Sequence, residues 1–174
     1  AGQGTVGLEI MDALPDVSAI LVPVGGGGLV SGVALAVKKL KPHIKVIGVE
    51  ASGAASMTAS LREGHVVTLP SANTIADGIA VKKAGELTFE ICSRYVDEVV
   101  TVDDDEIAQT ILLLLERSKI ITEGAGAAAA AALLYDKVNV KGKVAAILSG
   151  GNIDVTMLSR IIDKGLMKAG RLVT

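Results

Sequence analysis

Apolar residues along the chain keep two alternating rhythms. Val6, Ile10 and Leu14 fall at helical spacing, so Thr5–Leu14 is predicted as an amphipathic helix that Pro15-Asp16 ends. Ala19–Val24 is an unbroken apolar run with β-branched residues, the pattern of a strand buried on both faces. Four glycines follow, then a predicted helix from Leu29 to about Leu40, stopped by Pro42. Ile44–Val49 repeats the buried-strand pattern, and Ala54–Glu63 is a predicted helix closed by Gly64. Pro70, Asn73 and Gly78 mark Val66–Gly78 as a loop. Gly85–Arg94 is predicted helical and Val96–Val102 a third strand. Asp103–Asp105 can cap and charge the start of a helix that runs to about Ser118. Gly124–Leu134 is an alanine-rich helix and Lys143–Leu148 a fourth strand. After Ser149-Gly150-Gly151-Asn152, a last helix runs from Asp154 to about Met167.

Strands alternate with helices, and the clear strands are apolar throughout. This predicts an α/β fold, a three-layer α/β/α arrangement around a mainly parallel sheet. Right-handed crossovers place every strand-to-helix loop at the carboxyl edge, where ligands bind in such folds. Gly25–Gly28 and Ser149–Asn152 both lie there. Neither an internal repeat nor a linker divides the chain, so residues 1–174 are expected to form one α/β unit.

Composition narrows the picture. Half of the residues (50%) are hydrophobic but only 2% are aromatic, so Ala, Val, Ile and Leu must build the core. The 20 glycines suit thin, closely packed layers. A net charge of -2 offers no basic face for nucleic acid. The single cysteine, Cys92, excludes an internal disulfide, allows a reducing compartment and is expected to be an inert packing residue. No apolar run reaches the ~20 residues that span a bilayer, and "AGQGTVGLEI" is not a signal peptide, so neither a membrane nor secretion is expected.

Four glycines in an ordered chain carry an entropic cost, so they imply something that must approach the backbone closely. A glycine loop opening into a helix presents bare N–H groups backed by the helix dipole, which is a phosphate cradle; a plain tight turn is the bland alternative. No Gly-Lys-Ser/Thr follows, which excludes a P-loop. Gly26-x-Gly28 with Ser31, and Glu50 at the end of the next strand, make an imperfect dinucleotide signature. Ser149, also at the end of a buried strand, offers a hydroxyl that can meet a ring nitrogen without imposing charge, or can cap the following helix. Together the two loops could hold the two ends of a phosphorylated heteroaromatic ring.

"VPVGGGGLVSG", "VIGVE", "TIADGIAV", "ITEGAGAAAAAAL" and "ILSGGNID", in this order and spacing, resemble the threonine (serine) dehydratases, fold-type II enzymes that use pyridoxal 5′-phosphate. The resemblance covers nearly the whole chain. It implies that Gly25, Gly26, Gly27 and Gly28, with Leu29, bind the cofactor phosphate, and that Ser149, with Gly150 beside it, faces the pyridine nitrogen. Gly78 and Glu123 match family residues beside the cofactor ring; Glu123 also suits the first turn of the alanine helix. A neutral hydroxyl at the pyridine nitrogen favours β-elimination over chemistry that needs a stronger electron sink. In related enzymes a glutamate placed like Glu50 helps bind a cation, with a backbone carbonyl placed like that of Ala54 and an acid two positions further. That last position is Ser56 here, which leaves a weaker monovalent or divalent cation site, or simply a solvated carboxylate near a helix N-terminus.

The Schiff-base lysine of the family, in a Ser-aromatic-Lys-x-Arg setting, has no counterpart in this sequence, and neither has the Ser/Thr-x-Gly-Asn loop that holds substrate carboxylate. No catalytic residue of the family is therefore expected in the chain, which resembles the C-terminal half of the catalytic domain. "MKAGRLVT" resembles the junction to a regulatory domain. The function implied is deamination of L-threonine or L-serine to 2-oxobutyrate or pyruvate and ammonia. The expected setting is a cytoplasmic homodimer or homotetramer acting on a small amino acid, completed by the N-terminal half. This chain alone is expected to be inactive. A serine racemase of the same fold, or a non-catalytic phosphate or nucleotide module, are the alternatives.

Overall fold

The computed structural model describes residues 2–168, 170 and 171. β1 (Val17–Pro23) pairs in parallel with β2 (Lys45–Ala51) on one side and β4 (Lys143–Ala146) on the other. β2 in turn carries β3 (Glu98–Val102), also parallel, so the order is β3-β2-β1-β4. The chain steps outward from β1 to β3 and then returns to the opposite flank of β1. The connections leaving β1 and β4 thus diverge, and a crevice opens at their carboxyl ends, the switch point where open α/β sheets bind ligands.

Alternation along the two central strands builds both faces. Ile20, Val22, Val24 and Val46 pack against α1 (Gly4–Ala13), α2 (Gly28–Leu40) and α4 (Glu86–Tyr95). Leu21, Ile47, Val49 and Ala51 face α5 (Asp104–Leu113), α6 (Gly124–Leu134) and α7 (Val155–Lys168). Each fully buried Val, Ile or Leu is worth roughly 1.5–3 kcal/mol, which is how so aromatic-poor a chain assembles a core. α6 is enclosed on nearly every side, and its buried Ala125, Ala127, Ala128, Ala129, Ala131 and Ala132 let it approach the sheet closely. α3 (Ser56–Glu63) follows β2 after a short 3-10 turn at Ser52–Ala54.

The outer strands depart from expectation. β3 begins at Glu98, because Val96 N–H closes α4 on Cys92 O at 3.0 Å and Asp97 N–H bonds Val46 O at 2.9 Å. β4 ends at Ala146, and both flanking strands are half-buried, whereas β1 and β2 are apolar and buried as predicted. Asp103 caps α5 in a reciprocal box with Glu106, as foreseen. The helix does not run evenly to Ser118: past Leu113 it widens into a π turn, Leu114–Ser118, closed by Lys119 at φ 57°. The 66–78 loop is irregular, with Thr68 bridged to Lys83 and a 3-10 turn at Asp77–Ile79. Cys92 is buried and free, and burial pushes its thiol up to about 12, with the Glu50 charge adding to this, so it is an inert packing residue. Among the described residues no helix is long and apolar enough to cross a membrane. Half of the expected junction at 167–174 lies outside the described residues.

Candidate functional site

Between the carboxyl ends of β1 and β4 lies a cavity of about 230 Å³. Gly25, Gly26, Gly27, Gly28 and Leu29 form one wall; Gly78, Glu123 and Ser149 complete it. Four separate stretches that the sequence singles out therefore converge on one space. Pro23, Ile79 and Ala125 also line it. Each adjoins a recognised motif, but nothing in its own residue type signals a site.

The glycine loop is shaped for close approach. Gly27 sits at φ 91° and is the N-cap of α2. A Cβ there would stand 2.7 Å from Met57 Cε and 2.9 Å from Thr88 Cβ, so only glycine serves. A Cβ on Gly26 or Gly28 would project into open space. The first helical N–H after the loop to find a partner is that of Ser31, which donates to Gly27 O at 3.0 Å. None of the N–H groups of Gly25 to Leu29 donates to an acceptor among the described residues. Unpaired donors at the start of a 13-residue helix, backed by its dipole, make an anion nest.

Across the cavity, Ser149 is exposed and its hydroxyl bonds to no described residue. The capping alternative for Ser149 is overturned: α7 is capped by Asp154, whose Oδ1 accepts from Thr156 N–H at 2.8 Å and Met157 N–H at 3.1 Å. Those N–H groups, Met157's foremost, hold the Asp154 carboxyl below its usual range. Ser149 is thereby free to serve a ligand. Gly150 works behind it: its carbonyl accepts from Thr122 Oγ1 at 2.7 Å and from Glu123 N–H at 3.1 Å. A side chain on Gly150 would strike the Glu123 carboxylate, and one on Gly126 would strike Thr122 Oγ1 and the Gly150 carbonyl. The Thr-Glu-Gly-Ala-Gly stretch thus locks the Ser149 loop to α6. Glu123 is itself the N-cap residue of α6 without a side-chain cap bond, which leaves its carboxylate at the cavity wall beside Gly78.

Glu50 lies elsewhere. It is fully buried, not solvated, and its carboxylate caps α3. Oε1 accepts from Met57 N–H at 2.7 Å, and Oε2 from Thr58 N–H at 2.8 Å and Thr58 Oγ1 at 2.6 Å. Burial pushes its carboxyl above the ordinary range, and these hydrogen bonds pull the other way. With its oxygens given to α3 it is no ribose ligand, and Ala54 sits in the 3-10 turn just before the helix. Among the described residues no three of His, Cys, Asp and Glu gather as a metal site. A larger groove of about 500 Å³ between α1, α2 and α4 is lined mainly by Leu, Ala and Gly and carries no acid.

Fold and site thus define an α/β unit with unpartnered N–H groups and a neutral hydroxyl facing one another at the switch point of a parallel sheet. Residues 1–150 match the family of pyridoxal-phosphate dependent enzymes, and the chain belongs to that family. It is 59% identical over 174 residues to an L-threonine ammonia-lyase of Thermotoga maritima, covering 99% of this chain and 43% of that protein. A processed form of threonine deaminase isoform 2 from Solanum lycopersicum has the same fold, with TM-score 0.85 and 44% identity over 92% of this chain and 48% of that one. Maize serine racemase also has TM-score 0.85, with 39% identity over 97% of this chain and 53% of that one. The chain spans about half the length of the curated relatives it matches, 43% for the first and 50% for the Escherichia coli catabolic threonine dehydratase TdcB.

Proposed function

We propose that the protein containing this chain is a pyridoxal-phosphate-dependent ammonia-lyase that converts L-threonine, and L-serine, to a 2-oxo acid and ammonia. The observation that carries this reading is the pairing, across one cavity, of unpartnered N–H groups at Gly25–Leu29 with the free Ser149 hydroxyl. When bound, pyridoxal phosphate supplies an electron sink that makes the substrate α-proton removable. Gly25–Leu29 bind its phosphate, and the α2 dipole stabilises the charge. Ser149 meets the ring nitrogen as a neutral partner, which suits elimination of a β-hydroxyl. Gly78 lines the cavity, Gly150 lets the Ser149 loop pack against Glu123, and Glu123 keeps a carboxylate at the wall.

This chain supplies half of the site. At about 230 Å³ the cavity is smaller than the roughly 300–1,000 Å³ of a typical ligand pocket. No lysine lines it among the described residues. The Schiff-base lysine and the substrate-carboxylate loop then come from the N-terminal half of a catalytic unit whose C-terminal half is residues 1–174. The assembled enzyme is a homodimer or homotetramer, to be measured by sedimentation. The test of activity is incubation of the full-length protein with L-threonine: 2-oxobutyrate and ammonia at stoichiometric yield support the lyase. D-serine formed from L-serine without pyruvate would make it a racemase, and retention of a nucleotide without any visible cofactor band would make it a non-catalytic module.

A further inference from the structure

Thr88, in the first turn of α4, takes no part in the wall of the cofactor cavity, yet it touches the glycine loop from behind. Its Oγ1 donates its one proton to Gly26 O at 2.5 Å, with Gly85 O a more distant second acceptor at 3.0 Å. Gly85 N–H adds a second bond to Gly26 O at 3.2 Å. The Gly26 carbonyl is thus pinned on the α4 side of the loop. No described peptide bond is cis, and in a trans peptide the N–H points opposite to its C=O. The Gly27 N–H therefore faces away from α4, toward the side on which the cavity lies.

This peptide is exposed to a particular error. It joins two glycines, so no Cβ opposes its rotation, and a flip would turn a carbonyl oxygen toward the anion in place of an N–H. Gly85 N–H alone is a long, single restraint against that flip. The Thr88 hydroxyl shortens the restraint, and its Cβ, 2.9 Å from where a Gly27 Cβ would stand, blocks collapse of the loop toward α4. We propose that Thr88 is a positioning residue for the phosphate cradle, holding the Gly26–Gly27 peptide so that its N–H meets the cofactor phosphate. The inference rests on the pyridoxal-phosphate reading above and names what keeps that cradle in register.

The test compares two ligands on the full-length apoprotein, pyridoxal phosphate and unphosphorylated pyridoxal, titrated by absorbance. Thr88→Val keeps the shape and removes the donor. It is expected to weaken pyridoxal phosphate about tenfold, the scale of one hydrogen bond to a charged group, while pyridoxal binding stays as in the wild type. Thr88→Ser loses the methyl but keeps the hydroxyl and is expected to hold the phosphate preference within about twofold of wild type, which a purely packing role for Thr88 would not. Should Thr88→Val not fold, Thr88→Ala carries the same expectation. An unchanged phosphate preference in Thr88→Val, or equal losses for both ligands, would overturn the inference. A wild-type protein that binds pyridoxal as tightly as pyridoxal phosphate would instead overturn the cradle itself.

Discussion

At the scale of single residues, the proposed phosphate site depends on what is absent from four positions. Gly27 is the most exacting, since its φ of 91° and the contacts behind it both exclude a side chain. A methyl there must displace Met57 or Thr88 or force the loop out of its left-handed turn, at a cost on the order of 1–3 kcal/mol. Gly27→Ala is therefore expected to lower the urea midpoint of the full-length protein and weaken pyridoxal phosphate at least tenfold. Gly26→Ala, whose Cβ meets nothing in the structure, is expected to leave the midpoint nearly unchanged while still weakening the cofactor. Equal stability losses in both variants would contradict this division. Ser149 and the tetraglycine loop are legible from sequence because their chemistry is local, glycines or a serine shortly after an apolar run. Thr88 is not, because its bond to Gly26 spans 62 positions and a lone threonine in a helix carries no signal.

At the scale of elements, the ends of helices hold the loops in place. Glu50 shows how a polar residue at a strand end can be structural: its carboxylate feeds the start of α3, and α3 places Met57 beneath Gly27. The sequence alone could not choose among ribose, cation and helix, because the deciding N–H groups lie seven and eight residues further on, across a turn. Burial raises the folded-state carboxyl above its ordinary 4.5, so between these values the folded protein holds more protons than the unfolded one. Stability from this group is thus greatest at low pH and declines as pH rises through that window. Glu50→Gln removes the decline but loses an acceptor, costing about 1–3 kcal/mol. In urea unfolding, its deficit against wild type is expected to shrink from pH 5 to pH 7; a deficit that grows would mean the hydrogen bonds outweigh burial. α5 offers a plainer case. Asp103→Ala opens the reciprocal cap with Glu106 and is expected to cost about 1 kcal/mol, or roughly 2–4 °C in Tm, without changing cofactor affinity.

At the scale of the molecule, the order β3-β2-β1-β4 explains why two loops more than a hundred residues apart share a cavity. The alternation of apolar runs with helical periods predicted the layers and the two central strands. It misplaced the limits of all four strands by up to two residues, because the strands run through residues such as Val17-Ser18 and Glu50-Ala51 and stop short of apolar ones such as Val96 and Ile147, so apolar residues do not mark strand ends. The proposed division of the site between two halves of a longer chain has its own consequence. This chain produced alone is expected to bind pyridoxal phosphate weakly, show no visible Schiff-base band near 410–420 nm, on the order expected for lysine-bound cofactor, and form no 2-oxobutyrate from threonine. Turnover by the isolated chain would refute that division. The most direct measurement of the central claim is a crystal structure of the full-length protein with pyridoxal phosphate. The phosphate is expected within hydrogen-bond distance of the N–H groups of Gly25–Leu29, with Ser149 Oγ at the ring nitrogen. A phosphate seated outside the glycine loop, or a ring nitrogen turned away from Ser149, would contradict it.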